Sequence, residues 1–160
     1  DALPISTSVD ISGLIGQYAH GNEPSHHIAH LYNYVGQPWR TQEIVDEVLH
    51  TLYFNNPDGL SGNEDCGQMS AWYILNAMGF YQVCPGKPVY SIGRPLFNEA
   101  TVHLKDGKSF KVIAHNNSRD NKYVRSIVLN GNKLETPFFT HQDIVDGGTL
   151  ELTMGSEPLK

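Results

Sequence analysis

Apolar residues recur at Ile44, Val45, Val48, Leu49 and Leu52, the spacing of one helical face. Gln42, Glu43, Asp46 and Glu47 are left for the solvent side, and their charge favours the helix N-terminal end. This predicts a helix over 41–54. An earlier helix is predicted over 25–35, where Ile28, Leu31, Tyr32 and Val35 fall at i, i+3, i+4 and i+7. Ser25 can cap it, and Gly36 with Pro38 ends it. A third is predicted over 68–78, from Gln68 through the apolar run around Trp72, stopping at Gly79. Residues 1–18 show no clean period. Pro4, Gly13 and Gly16 punctuate them, which predicts a loop with a short helical turn near 11–15.

After Cys84-Pro85-Gly86 the period changes to two. Strands are predicted over 89–92, 100–104, 109–114, 123–129 and 149–154. Asp106-Gly107 and Asn130-Gly131 are hairpin turns, and 140–146 reads as one helical turn closed by Gly147-Gly148. The fold class is therefore α+β: antiparallel helices over 1–86, then an antiparallel, sandwich-like β segment over 87–160.

The 160 residues suffice for one ordinary domain with a real core. A hydrophobic share of 39% against 18% charged is that of a globular chain. The net charge of −6, with no Lys/Arg cluster, argues against nucleic acid and anionic membrane surfaces as partners. No apolar run approaches the roughly 18 residues of a membrane span. The chain opens at Asp1, without an initiator Met, and reads as a processed or excised piece. Cys66 and Cys84 flank the third helix; a disulfide across it and two free buried thiols both fit.

Two acidic turns carry the candidate chemistry. In Gly62-Asn63-Glu64-Asp65-Cys66-Gly67, two carboxylates sit between glycines just before a helix. A carboxylate held there has one position, as a general base requires. The plainer reading is an acidic cap, with Asp65 capping and Glu64 favoured by the helix dipole. In Gly21-Asn22-Glu23-Pro24, Asn22 and Glu23 offer hard oxygens of the kind calcium prefers. Pro24 pushes Glu23 out of helical geometry. His26 and His27 follow; they can hydrogen-bond a polar ligand or cap the helix, while a zinc site lacks a third ligand at suitable spacing. Each turn begins a helix, and the helix between them runs back, so both turns should lie at one end of the array. A layered helical barrel builds a pocket in this way. The alternative is a bundle with two unrelated caps.

The run from Asp10-Ile11-Ser12-Gly13 through Tyr18-Ala19-His20-Gly21-Asn22-Glu23-Pro24-Ser25-His26-His27 resembles a signature of glycoside hydrolase family 92, the calcium-dependent α-mannosidases. Gly62-Asn63-Glu64-Asp65-Cys66-Gly67-Gln68-Met69-Ser70-Ala71-Trp72-Tyr73 resembles a second, with Gly79-Phe80-Tyr81 and Cys84-Pro85-Gly86 after it. The resemblance implies an inverting exo-α-mannosidase with an N-terminal β-sandwich and an (α/α)6 barrel, of which this chain is the C-terminal portion. It implies Asp65 as the base that activates water. Asn63 stands where some relatives carry a second acid, an assisting role. Glu23 matches a metal-ligand position, with Asn22 beside it, for a Ca2+ ion gripping the sugar. His26 and His27, able to hydrogen-bond a polar ligand, are the candidate substrate contacts.

Further expectations follow from the same likeness. The substrate would be terminal mannose of N-glycans or mannans, α-1,2-linked first among the linkages, and the protein secreted, periplasmic or attached to the cell surface. Inversion needs an acid and a base roughly 6.5–9.5 Å apart. Glu64 is too close to Asp65 to be that acid, which is expected from the remainder of the same enzyme, upstream of Asp1. The competing reading is a non-catalytic sugar- or calcium-binding fragment.

Overall fold

The computed structural model describes residues 11–160. The expectations for residues 1–10 lie outside the described residues. The helical turn expected near 11–15 is not formed. In its place stands a hairpin of β1 (Leu14–Ile15) and β2 (Tyr18–Ala19), turned at Gly16, which takes a φ of 58°.

The helix expected over 25–35 is broken into two 3-10 turns, Glu23–Ser25 and Ile28–His30, and one short α1 (Leu31–Tyr34). Its faces are also reversed. Ile28, Leu31 and Val35 are exposed, while Ala29, His30 and Asn33 are buried. The buried side is held by polar bonds. His30 meets Ser91 Oγ at 3.1 Å and Asn76 Oδ1 at 2.8 Å, and Asn33 donates to Ser91 Oγ and to the Ile92 carbonyl. Periodicity counts apolar side chains and is blind to such a network.

α2 (Pro38–Thr51) starts on Pro38, whose missing N–H costs nothing in a first turn. Its supposed solvent side is mostly covered. Gln42 Oε1 accepts the Val124 N–H at 3.1 Å, Glu43 Oε1 accepts the Tyr123 hydroxyl at 2.8 Å, and Asp46 Oδ1 lies 2.9 Å from Nε of the buried Arg94. These contacts fasten the helices to the strands. α3 (Gln68–Met78) forms as its pattern predicts and stops at Gly79, in the left-handed region at φ 106°.

The strands are β3 (Phe80–Tyr81), β4 (Val89–Ile92), β5 (Glu99–His103), β6 (Ser109–His115), β7 (Tyr123–Leu129), β8 (Asn132–Lys133), β9 (Phe138–Thr140) and β10 (Gly148–Gly155). A five-stranded sheet runs β5-β6-β10-β7-β8 and a three-stranded one β3-β4-β9. Both hairpin turns are present. Between β9 and β10 lies α4 (His141–Val145), with a capping box between Thr140 and Asp143. One pairing departs from the antiparallel expectation. β10 lies parallel to β6, with Leu150 opposite Val112. The long connection through β8, β9 and α4 returns the chain so that β10 enters alongside β6, as a parallel pair requires. The two sheets share a core. Phe80, Ile92 and Phe139 pack with Phe110, Val112, Leu150 and Leu152, and the Phe110 and Phe139 rings stack at 5.8 Å. A second cluster holds Val45, Val48, Leu49, Trp72 and Tyr81 between the helices, and half-buried Leu75 touches both clusters. Each fully buried side chain of this kind contributes about 1.5–3 kcal/mol.

Cys66 and Cys84 are free, and both are exposed, so neither the disulfide nor the buried thiols are found. Among the described residues no helix is long and apolar enough to cross a membrane.

Candidate functional site

The two acidic turns meet, and glycine is the reason they can. A Cβ on Gly62 would stand 2.3 Å from the Gly21 carbonyl oxygen, and one on Gly21 would stand 2.1 Å from the Ser61 carbonyl oxygen. Gly62 also has a φ of 120°, where L side chains are strained. The backbone before Asn22 and Glu23 is thus pressed against the backbone before Asn63, Glu64 and Asp65. Two long-range bonds hold the segments in register. Trp72 Nε1–H donates to the His26 carbonyl at 3.0 Å, and Gln68 Nε2–H donates to His26 Nδ1 at 3.1 Å.

The turn before α3 is wound left-handed over three residues: Asp65 at φ 41°, Cys66 at 57° and Gly67 at 88°. For each non-glycine this costs about 1–2 kcal/mol. Strain of this kind collects where function needs one conformation. The Asp65 and Glu64 carbonyls accept the Gln68 and Met69 N–H groups at 3.2 and 3.3 Å, which fixes the turn to α3. Asp65 does not cap α3 as expected. The N-cap position belongs to Gly67 with no side-chain cap. Glu64, not Asp65, serves the helix start, accepting the Ser70 N–H at 2.9 Å and its hydroxyl at 2.7 Å. Those two bonds, that to the N–H first, lower the Glu64 pKa below its ordinary value. Glu64 is therefore an occupied anion and no proton donor. Asp65 and Asn63 are exposed beside it.

On the facing turn Asn22 is exposed, and Glu23 is half-buried at the start of a 3-10 turn, where Pro24 is its second residue. Pro24 therefore places Glu23 at a helical first position instead of excluding it. Glu23 Oε1 is buried without a hydrogen-bond partner. An orphaned carboxylate oxygen is costly unless a cation or donor meets it. Among the described residues no group of three or more His, Cys, Asp or Glu could hold a metal ion. Glu23 offers one unpartnered carboxylate oxygen, and the described residues alone do not assemble a metal site around it.

His26 departs from its expected part. It is buried, its Nε2–H donates to the His20 carbonyl at 3.0 Å, and its Nδ1 accepts from Gln68. Both nitrogens are taken, so none is left for a sugar hydroxyl. His27 is half-buried next to it. His20, which no spacing marks, is fully buried among Tyr18, His26, Tyr53 and Trp72. Its ring stacks on His26 at 4.7 Å and meets Trp72 edge-on at 4.3 Å. Its Nδ1 is 2.8 Å from the Tyr18 hydroxyl and its Nε2 is 2.6 Å from the Tyr53 hydroxyl, which donates onward to the Met69 carbonyl at 3.0 Å. Burial, with the nearby His26 second, lowers the His20 pKa to about 3, and burial lowers that of His26 as well. Both rings are neutral near pH 7.

Residues 3–156 match the profile of the glycosyl hydrolase family 92 catalytic domain. A family 92 α-mannosidase of Bacteroides thetaiotaomicron, solved in complex with mannoimidazole, superposes with a TM-score of 0.89 at 46% identity, over 94% of this chain and 20% of that one. A family 92 inverting mannosidase of the same species gives 0.83 at 50% identity, over 89% of this chain and 19% of that one. A protein of Arthroderma benhamiae called an uncharacterized secreted glycosidase is 31% identical over 140 residues, 86% of this chain and 18% of its own length. The chain thus spans about a fifth of the length of these relatives. The chain belongs to glycosyl hydrolase family 92, as part of the catalytic domain.

Proposed function

We propose that this chain is part of an inverting exo-α-mannosidase that removes terminal mannose, α-1,2-linked in the first instance, from N-glycans or mannans. The reading rests above all on the contact of Gly21 with Gly62, which presses the backbone leading into Glu23 against the backbone leading into Asp65. Asp65, on a strained and tied turn, takes the proton from the attacking water. Asn63, exposed in the same turn, assists by orienting that water. Glu23 supplies a donor to a Ca2+ ion, with Asn22 as a neighbouring amide oxygen; when bound, the ion stabilises charge on sugar hydroxyls. His27 contacts the substrate.

The proton donor to the leaving group comes from the remainder of the enzyme, because Glu64 is committed to Ser70. That remainder completes an (α/α)6 barrel around the helices within 1–86, with 87–160 as the β segment behind them. The exposed Ile28, Leu31, Val35 and Ile74 suit burial against it. Without that proton donor the isolated 160 residues do not turn over substrate. A secreted or cell-surface enzyme is the corresponding location, in line with the name of the Arthroderma relative.

The test is hydrolysis of an α-mannobioside by the full-length protein before and after chelation, with Glu23→Gln alongside. Loss on chelation, recovery with calcium and a raised calcium requirement in Glu23→Gln are expected. Undiminished hydrolysis in chelator would refute the metal's part in this reading.

A further inference from the structure

We propose that His20 is a positioning residue for the Asp65 turn: through Tyr53 and the Met69 carbonyl it fixes where that turn stands relative to Asn22 and Glu23. This rests on the reading of Asp65 as the base.

The hydrogen bonds assign every proton in the chain. Tyr53 has one hydroxyl proton and gives it to the Met69 carbonyl. It must therefore accept from His20 Nε2, which carries the ring proton. His20 Nδ1 is then a bare lone pair and accepts from Tyr18. The order is Tyr18 O–H to Nδ1, then Nε2–H to Tyr53, then Tyr53 O–H to Met69. The three hydrogen bonds alone fix this tautomer. At its end the chain reaches the candidate base. Met69 receives Tyr53 on its carbonyl and gives its own N–H to the Glu64 carbonyl, while Gln68 gives its N–H to the Asp65 carbonyl. A shift of Met69 is thereby passed to Glu64, and through its neighbour Gln68 to the turn that carries Asp65. At the other end, His20 directly precedes Gly21, its N–H is held by the Gly13 carbonyl at 2.9 Å, and its carbonyl accepts from His26. One side chain thus spans the two turns. An apolar residue of equal size would fill the space and leave the Tyr53 hydroxyl without its donor.

The experiment measures kcat and KM on an α-mannoside, with melting temperature, for the full-length protein carrying Tyr53→Phe, His20→Gln, His20→Asn or Asp65→Asn. Glutamine can place an N–H near the position of Nε2; asparagine reaches only that of Nδ1. Tyr53→Phe keeps the ring and removes the relay. We expect Tyr53→Phe and His20→Asn to lose roughly 10- to 100-fold in kcat, the scale of an ångström's misplacement. KM should change little, and His20→Gln should recover most of the rate. Equal losses in His20→Gln and His20→Asn, or a Tyr53→Phe enzyme with wild-type kcat, would overturn the proposal. If Asp65→Asn is inactive while Tyr53→Phe is fully active, positioning alone fails. If Asp65→Asn keeps wild-type kcat, the assignment of the base fails and this inference with it.

Discussion

Replacing Gly62 by alanine should separate the two acidic turns. The new Cβ would sit 2.3 Å from the Gly21 carbonyl oxygen, against an ordinary approach of about 3.3 Å or more. Neither atom belongs to a rotatable side chain, so one backbone must move by about 1 Å. The φ of 120° adds about 1–3 kcal/mol of strain of its own. Together these should cost at least about 3 kcal/mol locally, roughly a hundredfold in the opening equilibrium of residues 12–22 and 61–69. Gly16→Ala is the control: its φ of 58° is also positive, but a Cβ there meets nothing within 4 Å. Hydrogen exchange followed by mass spectrometry reads both segments, and an α-mannoside assay reads the site. Gly62→Ala should lose protection in both segments and about 100-fold in rate, whereas Gly16→Ala should leave the rate intact. Equal behaviour of the two variants would refute the loop contact as the basis of the site.

Acid should unfold this part of the protein earlier than its carboxylates require. His20 and His30 are buried with pKa values lowered to about 3 and about 4, against an ordinary 6.5, so the unfolded chain binds more protons below 6.5. Stability is then full above about 6.5 and falls as pH drops toward 4; His30 alone accounts for about 3 kcal/mol of that fall. Denaturant titrations at pH 7 and 4.5 check this, and His30→Gln should flatten the dependence. Asp46→Asn should destabilise by about 3–5 kcal/mol, because it leaves the buried Arg94 uncompensated; thermal denaturation with Glu47→Gln as the exposed control measures it. Cys66→Gly should raise stability by about 1 kcal/mol by relieving a φ of 57°, read as a higher melting temperature.

The helices at 38–51 and 68–78 were legible because each buries one stripe of apolar residues between clear stop signals. The hairpin turns at Gly107 and Gly131 were legible because only a few residue types tolerate them. The stretch from Glu23 to Tyr34 was not. Its inner face is His26, His30 and Asn33, each matched by a partner far along the chain, and no local pattern encodes a partner. The same applies to Gln42 and Asp46, polar residues on a helix whose partners, Val124 and Arg94, lie far along the chain. The parallel placing of β10 beside β6 depends on a long connection and leaves no mark on the strands. In the site, the acidic turns were legible through their glycines, but the packing role of Gly62 was not. It serves the approach of Gly21 more than the bend of its own turn. His20 was missed because one histidine between a tyrosine and a glycine has no spacing to declare it.

The central claim is that Asp65 takes a proton from water. Full-length Asp65→Asn, assayed for α-mannoside hydrolysis and titrated with a mannose-like inhibitor, measures it directly. The account predicts a loss of roughly 10²- to 10⁴-fold in kcat with inhibitor affinity largely kept; a variant that turns over at the wild-type rate would contradict it.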